Sequence, residues 1–242
     1  MNPPDERLNP DEVIIGKSSY RGKTDYSVVF EDRHLLVANK PAGLLTVPIK
    51  GMKALNLQEL IQRDKGHKIK VSAAHRIDRY TTGLVVFGLN KFTNRNLADQ
   101  FRNRSPQRAY LAVVRGVVEP SSGKLVHHLK QIKSGFRNIV VDQKDKKAQR
   151  AELKYELVEQ FKDRSLVRIE LVTGLKNQIR VQFSEIGHPL LGDQHYEVSE
   201  KERDEINRQA LHASELSFLH PKTRKPVHFK ALLPKDMKKL IS

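Results

Sequence analysis

Residues 75–86 read HRIDRYTTGLVV and set one carboxylate, Asp78, among His75, Arg76 and Arg79. A Thr-Thr-Gly turn follows, then an apolar run. Cations within ~4–6 Å of an aspartate favour its charged form. A carboxylate held ionised suits a nucleophile, or a group that stabilises positive charge developing at a sugar C1′ carbon. In isolation, an acid flanked by bases is more often a solvated, ion-paired loop. The setting raises the case for chemistry, because Gly83 ahead of an apolar strand suits a tight turn that presents the acid at a sheet edge.

Other chemistries fall away. The chain has no Cys, which excludes disulfides, thiol catalysis and cysteine zinc sites. It contains no G-x-G-x-x-G and no P-loop. HRID differs from the kinase catalytic loop, in which Asp directly follows Arg; here Ile77 intervenes, and no Gly-rich loop lies upstream. His127 and His128 are adjacent, so they cannot share a helix face as paired metal ligands do, and no other ligand cluster stands out.

The elements that must hold Asp78 are legible around it. YSVVFEDRHLLVANKPAG reads as a hairpin ending at Pro41 and Gly43. ALNLQELIQRDKG places Leu57, Leu60 and Ile61 on one face of a helix that stops at Gly66. NKFTNRNLADQFRNR reads as a second helix with Phe92, Leu97 and Phe101 inward. QRAYLAVVRG, GKLVHHL, RNIVVD, AELKYELVEQF and the alternating RSLVRIELVTG read as strands. NQIRVQFSEIG is a short helix with Ile179, Phe183 and Ile186 on one face, and EVSEKERDEINRQ a charged loop or helical insertion. HASELSFLH and PVHFKALL form a closing hairpin before a terminal helix opened by Pro234. Hairpin-like strand pairs with few helices between them predict an α+β fold with a mainly antiparallel sheet. Residues 1–24 read as an N-terminal arm and 25–242 as one catalytic domain.

Net charge is +16. Residues 91–154 hold fifteen basic against five acidic groups, whereas residues 155–216 are net acidic. Charge concentrated in this way suggests a polyanionic partner, nucleic acid first. No apolar run approaches the ~18 residues of a membrane span, and the first ten residues hold no signal-peptide core. The expected compartment is the cytoplasm.

The sequence also resembles a known family. HRIDRYTTGLVVFGLN closely resembles the H-R-L-D-R-x-T-S-G-L signature of the RluA-type pseudouridine synthases. FEDRHLLVANKPAGLLTVP looks like that family's first motif, and RAYLAVVRG is similar to its K-x-Y-x-A-x-V-x-G strand. TGLKNQIRVQFSEIGHPLLGDQHY resembles the segment built around Q-I-R, G-H-P and G-D-x-x-Y. LHASELSFLHPKTRKPVHFKALLP resembles its C-terminal hairpin. Five blocks in order span residues 28–234.

The resemblance implies a pseudouridine synthase fold, a bent, mixed but mainly antiparallel sheet with flanking helices and a central RNA-binding cleft. It implies an isomerase, an intramolecular transferase, that breaks the N1–C1′ bond of uridine in RNA, rotates the base and forms a C5–C1′ bond. It implies no cofactor and no metal. Carried over by position, Asp78 is the catalytic aspartate, Tyr110 packs near the target base and Arg180 pairs with the carboxylate. Arg76, Lys40, His75, Arg79 and Arg108 are expected RNA contacts; Lys40 reads equally as a phosphate ligand or a turn cap. His188-Pro189 and Gly192-Asp193 read as loop-shaping. Asp78 could attack C1′, add to the base or remove a 2′ proton. Three departures bear on substrate choice: Tyr80 stands where the family usually has an acid, Leu175-Lys176-Asn177 where Arg-Thr-His is frequent, and Glu197 where Gly is common. The arm looks too short for the separate RNA-binding domain some members carry. The expected partner is ribosomal or transfer RNA, bound by a monomer. Two rival readings are a non-catalytic RNA-binding or ribosome-assembly protein on the same fold, and a glycosidase-like hydrolase, which would need a second carboxylate near the first.

Overall fold

The computed structural model describes the backbone of residues 13–15 and, in full, residues 26–132, 137–196 and 205–242. The rest of the N-terminal arm, and residues 197–204 of the charged insertion, lie outside the described residues. The chain divides into two compact units, Met1–Arg108 with Ala213–Leu232, and Ala109–His212 with Leu233–Ser242.

The first unit is built on β1 (Val13–Ile15), β2 (Ser27–Glu31), β3 (Leu35–Lys40), β4 (Ser72–Ala73), β5 (Thr82–Gly88), most of β11 (Leu211–Leu219) and β12 (Pro226–Lys230). Its strand order is β2-β3-β5-β11-β12, with β4 on β5. The β2/β3, β3/β5, β4/β5 and β11/β12 pairs are antiparallel, and β1 adds in parallel to β12. Every residue of β5 is buried, as a continuous apolar run predicts for a strand covered on both faces. Leu35, Val37, Leu84, Val86, Leu216 and Phe229 meet in one core, and Leu97 closes it.

Two helices flank this sheet. In α1 (Leu57–Lys65) the Asn56 side chain accepts from the Glu59 N–H, and Leu57, Leu60 and Ile61 are buried. In α2 (Lys91–Arg102) Asn90 caps the Thr93 N–H in the same way. Such a cap contributes about 1 kcal/mol. The expected inner face of α2 needs correction. Thr93 and Leu97 are its buried residues and Phe101 is partly buried, while Phe92 is 61% exposed. At ~100° per residue, Phe92 sits about 140° round the helix from Leu97, so the two cannot share a face.

The second unit holds β6 (Gln107–Arg115, entered from the first unit), β7 (Ser122–Gln131), β8 (Asn138–Val141), β9 (Gln149–Gln160) and β10 (Arg164–Leu171). Their order is β6-β10-β9-β7-β8, and each neighbouring pair is antiparallel. Helix α3 (Gln178–Glu185) contributes Val181 to a core with Leu129, Ala151 and Tyr196. A short α4 (Lys235–Lys238) places Met237, followed by Leu240, against Val113, Leu166 and Leu191. Among the described residues no helix is long and apolar enough to cross a membrane.

Candidate active site

Asp78 sits on the loop that leads from β4 into β5, and hydrogen bonds tie the backbone on both sides of it. Before it, Thr46 Oγ1 donates to the Ile77 carbonyl at 2.9 Å and accepts from the Ile77 N–H at 3.2 Å. After it, the Asp78 carbonyl accepts from the Thr81 N–H at 3.1 Å, which makes Arg79 and Tyr80 the corner of a turn. Ile77 and Thr81 are buried, and Asp78 is half-buried. Register pins the base of the loop, because Lys40 at the end of β3 lies opposite Gly83 in β5.

Gly83 is required there. Its φ is +116°, and a Cβ would stand 2.2 Å from the Ala213 carbonyl oxygen and 2.6 Å from the Ala213 nitrogen. Only glycine lets β5 and the backbone at Ala213 approach so closely while the chain turns into the strand.

Lys40 belongs to the same mount. It has no exposure, and its ammonium donates to the carbonyls of Pro41 at 2.8 Å, Leu44 at 2.7 Å and Arg79 at 2.9 Å. An ammonium has three donors, and these three bonds bind the Pro-Ala-Gly turn to the Asp78 loop. The turn-capping alternative is therefore the one the structure carries; a fully buried cation offers nothing to a phosphate. Arg79 is exposed, yet its Nε donates to the Gly43 carbonyl at 2.8 Å and its guanidinium centre lies 5.4 Å from the Tyr80 ring. Arg76 is exposed.

His75 differs from its expected role as a cationic RNA contact. Its ring stacks on Phe101 at 4.6 Å, and its Nε2 accepts from the Val86 N–H at 3.3 Å. Burial, and then the nearby Arg108 guanidinium, push its pKa down to about 3. The ring is neutral with its proton on Nδ1, which finds no partner among the described residues. The Arg108 guanidinium lies 5.9 Å from the centre of the same Phe101 ring. His75 thus anchors the loop to β5 and carries no charge to RNA.

Tyr110 and Arg180 lie in the second unit. Tyr110 is on β6 opposite Ile169 of β10, and is 5% exposed. Arg180 is on α3 and also 5% exposed, so it is not the solvated helix arginine its position off the apolar face suggested. Its Nε and Nη2 grip Asp193 at 2.6 and 2.7 Å, and its Nη1 donates to Asn177 Oδ1 at 3.1 Å. Asn177 starts the helix with φ 54°, a left-handed conformation that asparagine tolerates. The Tyr196 ring lies 5.4 Å beneath the guanidinium, and its hydroxyl exchanges bonds with the backbone of Asn138.

Buried amides explain why this helix is polar yet enclosed. Gln178 Oε1 accepts from the Leu175 N–H and the Thr173 hydroxyl, and its Nε2 donates to the Glu152 carbonyl. Gln182 donates to the Leu125 carbonyl of β7. Sequence reasoning missed Asp193, Asn177 and Tyr196 as the groups that hold Arg180. The signal was in the G-D-x-x-Y block, read only as loop-shaping. Gly192 confirms how tight that loop is, since at φ +69° a Cβ would stand 2.3 Å from the Arg208 carbonyl oxygen. Among the described residues no group of three or more His, Asp or Glu could hold a metal ion.

Comparison with known proteins places this architecture. The human RNA Pseudouridylate Synthase Domain Containing 1 superposes with a TM-score of 0.71 at 25% identity, over 88% of this chain and 85% of that one. The fold is that of the pseudouridine synthases. The sequence model described as RNA pseudouridylate synthase matches residues 34–185. The Ribosomal large subunit pseudouridine synthase D of Zymomonas mobilis is 36% identical over 226 residues, 88% of this chain and 71% of that protein. The Dual-specificity RNA pseudouridine synthase RluA of Yersinia pestis is 32% identical over 212 residues, 84% of this chain and 97% of that protein. The chain belongs to the RluA-type RNA pseudouridine synthase family, isomerases that convert uridine in RNA to pseudouridine.

Proposed function

We propose that Asp78 is the carboxylate that carries out this isomerisation, on uridines of ribosomal or transfer RNA. The observation that carries the reading is the mount of Asp78. Residues 77, 79 and 81 are each tied by main-chain or side-chain bonds, on a loop fixed between Lys40 and Gly83. A group that must meet a sugar carbon within a few tenths of an ångström gains from such preorganisation, whereas a solvated loop has no need of it. In this reading Tyr110 lies against the target base, and Arg180 fixes the direction of the Asp78 carboxylate. A guanidinium has five N–H donors, so holding Asp193 and Asn177 does not exhaust Arg180. Arg76 and Arg79 supply phosphate contacts, which offset the few kcal/mol needed to take the uridine out of its stack.

The reaction breaks N1–C1′, turns the base and forms C5–C1′, with loss of the C5 proton and gain of a proton at N1. It is redox-neutral and needs no co-reactant. We further propose that the protein works as a cytoplasmic monomer. The test uses RNA carrying tritium at uridine C5. Asp78→Asn is expected to abolish tritium release while RNA affinity stays within about threefold; unchanged release would overturn the assignment. Pseudouridine mapping of total RNA, with and without the gene, identifies the RNA. A map with no site lost on deletion would count against ribosomal and transfer RNA alike.

A further inference from the structure

Tyr80 is the one residue of the Asp78 loop that the catalytic reading leaves without a task. It stands where the family usually has an acid, two residues from the aspartate. Its setting is unusual for a large aromatic. Its neighbours Arg79 and Thr81 are fixed, the first through its carbonyl to Lys40 and its Nε to the Gly43 carbonyl, the second through its N–H to the Asp78 carbonyl. Tyr80 itself is 44% exposed. The Arg79 guanidinium lies 5.4 Å from the centre of its ring. The loop therefore presents a flat apolar ring to solvent on a backbone that is already held.

We infer that Tyr80 is a stacking plate for the base next to the target uridine, and that it selects a purine there. The inference rests on the Asp78 reading, because it places the neighbouring nucleotide by the aspartate loop. A uridine drawn out of its stack leaves the adjacent base with one face uncovered, and an aromatic ring covers that face without reading its edge. A base laid on the ring completes a sandwich of guanidinium, phenol and base, in which Arg79 adds a cation–π contribution. An acid at this position would instead repel the flanking phosphates, and tyrosine removes that repulsion. Purines present the larger face, so a plate without hydrogen-bond readout favours them.

The experiment uses the full-length protein and, as substrate, total RNA from cells lacking the gene, with initial rates of pseudouridine formation mapped site by site. Wild type is expected to modify uridines that have a purine on at least one side. Tyr80→Ala is expected to lower the rate at those sites about five- to hundredfold at limiting RNA, with most of the loss recovered at saturating RNA. Tyr80→Phe keeps the ring and is expected within about twofold of wild type. The side chain is solvent-exposed, so equal urea midpoints for the three proteins separate stacking from folding. Wild-type rates for Tyr80→Ala, a Tyr80→Phe as slow as Tyr80→Ala, or target sites flanked by pyrimidines on both sides would each overturn the inference. Asp78→Asn is run beside them. Full activity in that variant would overturn the catalytic reading instead, and the two failures are told apart by which variant shows them.

Discussion

Replacing Asp193 by asparagine tests how the arginine of α3 is held. Asp193 has no side-chain exposure and Arg180 has 6%, so both charges are out of water. Their two bonds, at 2.6 and 2.7 Å, lie at the short end for charge-assisted pairs. Removing one partner of a buried ion pair costs ~3–5 kcal/mol. The lower end applies, because asparagine keeps one carbonyl acceptor and the bond from Arg180 to Asn177 survives. Against a total stability of about 5–15 kcal/mol, the variant remains folded at low temperature. Urea unfolding followed by circular dichroism is expected to show a loss near 3 kcal/mol, within the range for a buried pair. Activity of the folded fraction is expected to fall with unchanged RNA affinity, since a guanidinium freed from its fork no longer points in one direction. The double variant Asp193→Asn/Arg180→Met should lose less than the sum of the two single losses, because directly bonded groups couple. A loss under about 1 kcal/mol for Asp193→Asn, or strict additivity in the cycle, would refute the argument.

Two further outcomes follow from the mount of Asp78. Gly83→Ala must place a Cβ against the Ala213 backbone at φ +116°; strain of ~1–3 kcal/mol adds to the clash, and a urea midpoint equal to wild type would show that β5 and Ala213 are less tightly apposed than described. His75 is neutral in the fold with its pKa near 3, against 6.5 for an ordinary histidine. The unfolded chain takes up a proton that the folded ring refuses, so stability is full above pH 6.5 and falls as pH drops from 6.5 toward 3. The contribution to the slope is at most ~1.4 kcal/mol per pH unit. His75→Phe keeps the stack on Phe101, and its stability measured across that range should depend less on pH; an identical slope would place the titration elsewhere.

What the sequence disclosed and what it hid divide along a physical line. The buried run of β5, the face of α1 and the Gly66 stop were legible because each is a local pattern, and a pattern with the period of a strand or helix states which side is inward. The placement of Asp78 ahead of Gly83 was legible for the same reason. Phe92 went wrong inside that local logic, since hydrophobicity was read without respecting the angle to Leu97. The charges behaved differently. His75 was read as an RNA contact, Lys40 equally as a phosphate ligand or a turn cap, and Arg180 was paired with the carboxylate by the resemblance alone. In the structure Lys40 spends its three donors on carbonyls, one of them 39 residues away. His75 loses its charge to burial against Phe101 and to the field of Arg108. Arg180 is forked onto Asp193 across a tight loop in which only glycine fits at position 192. A side chain's charge is fixed by its type, but its protonation and its direction depend on dielectric and on partners that only the tertiary fold brings near. It follows that proximity to Asp78 in sequence was an uneven guide, since His75 is neutral while Arg76 and Arg79 stay exposed. Tyr80, uncharged, 44% exposed and set beside the Arg79 guanidinium, is the better guide, because a half-exposed aromatic ring next to a cation offers a face on which a base can stack.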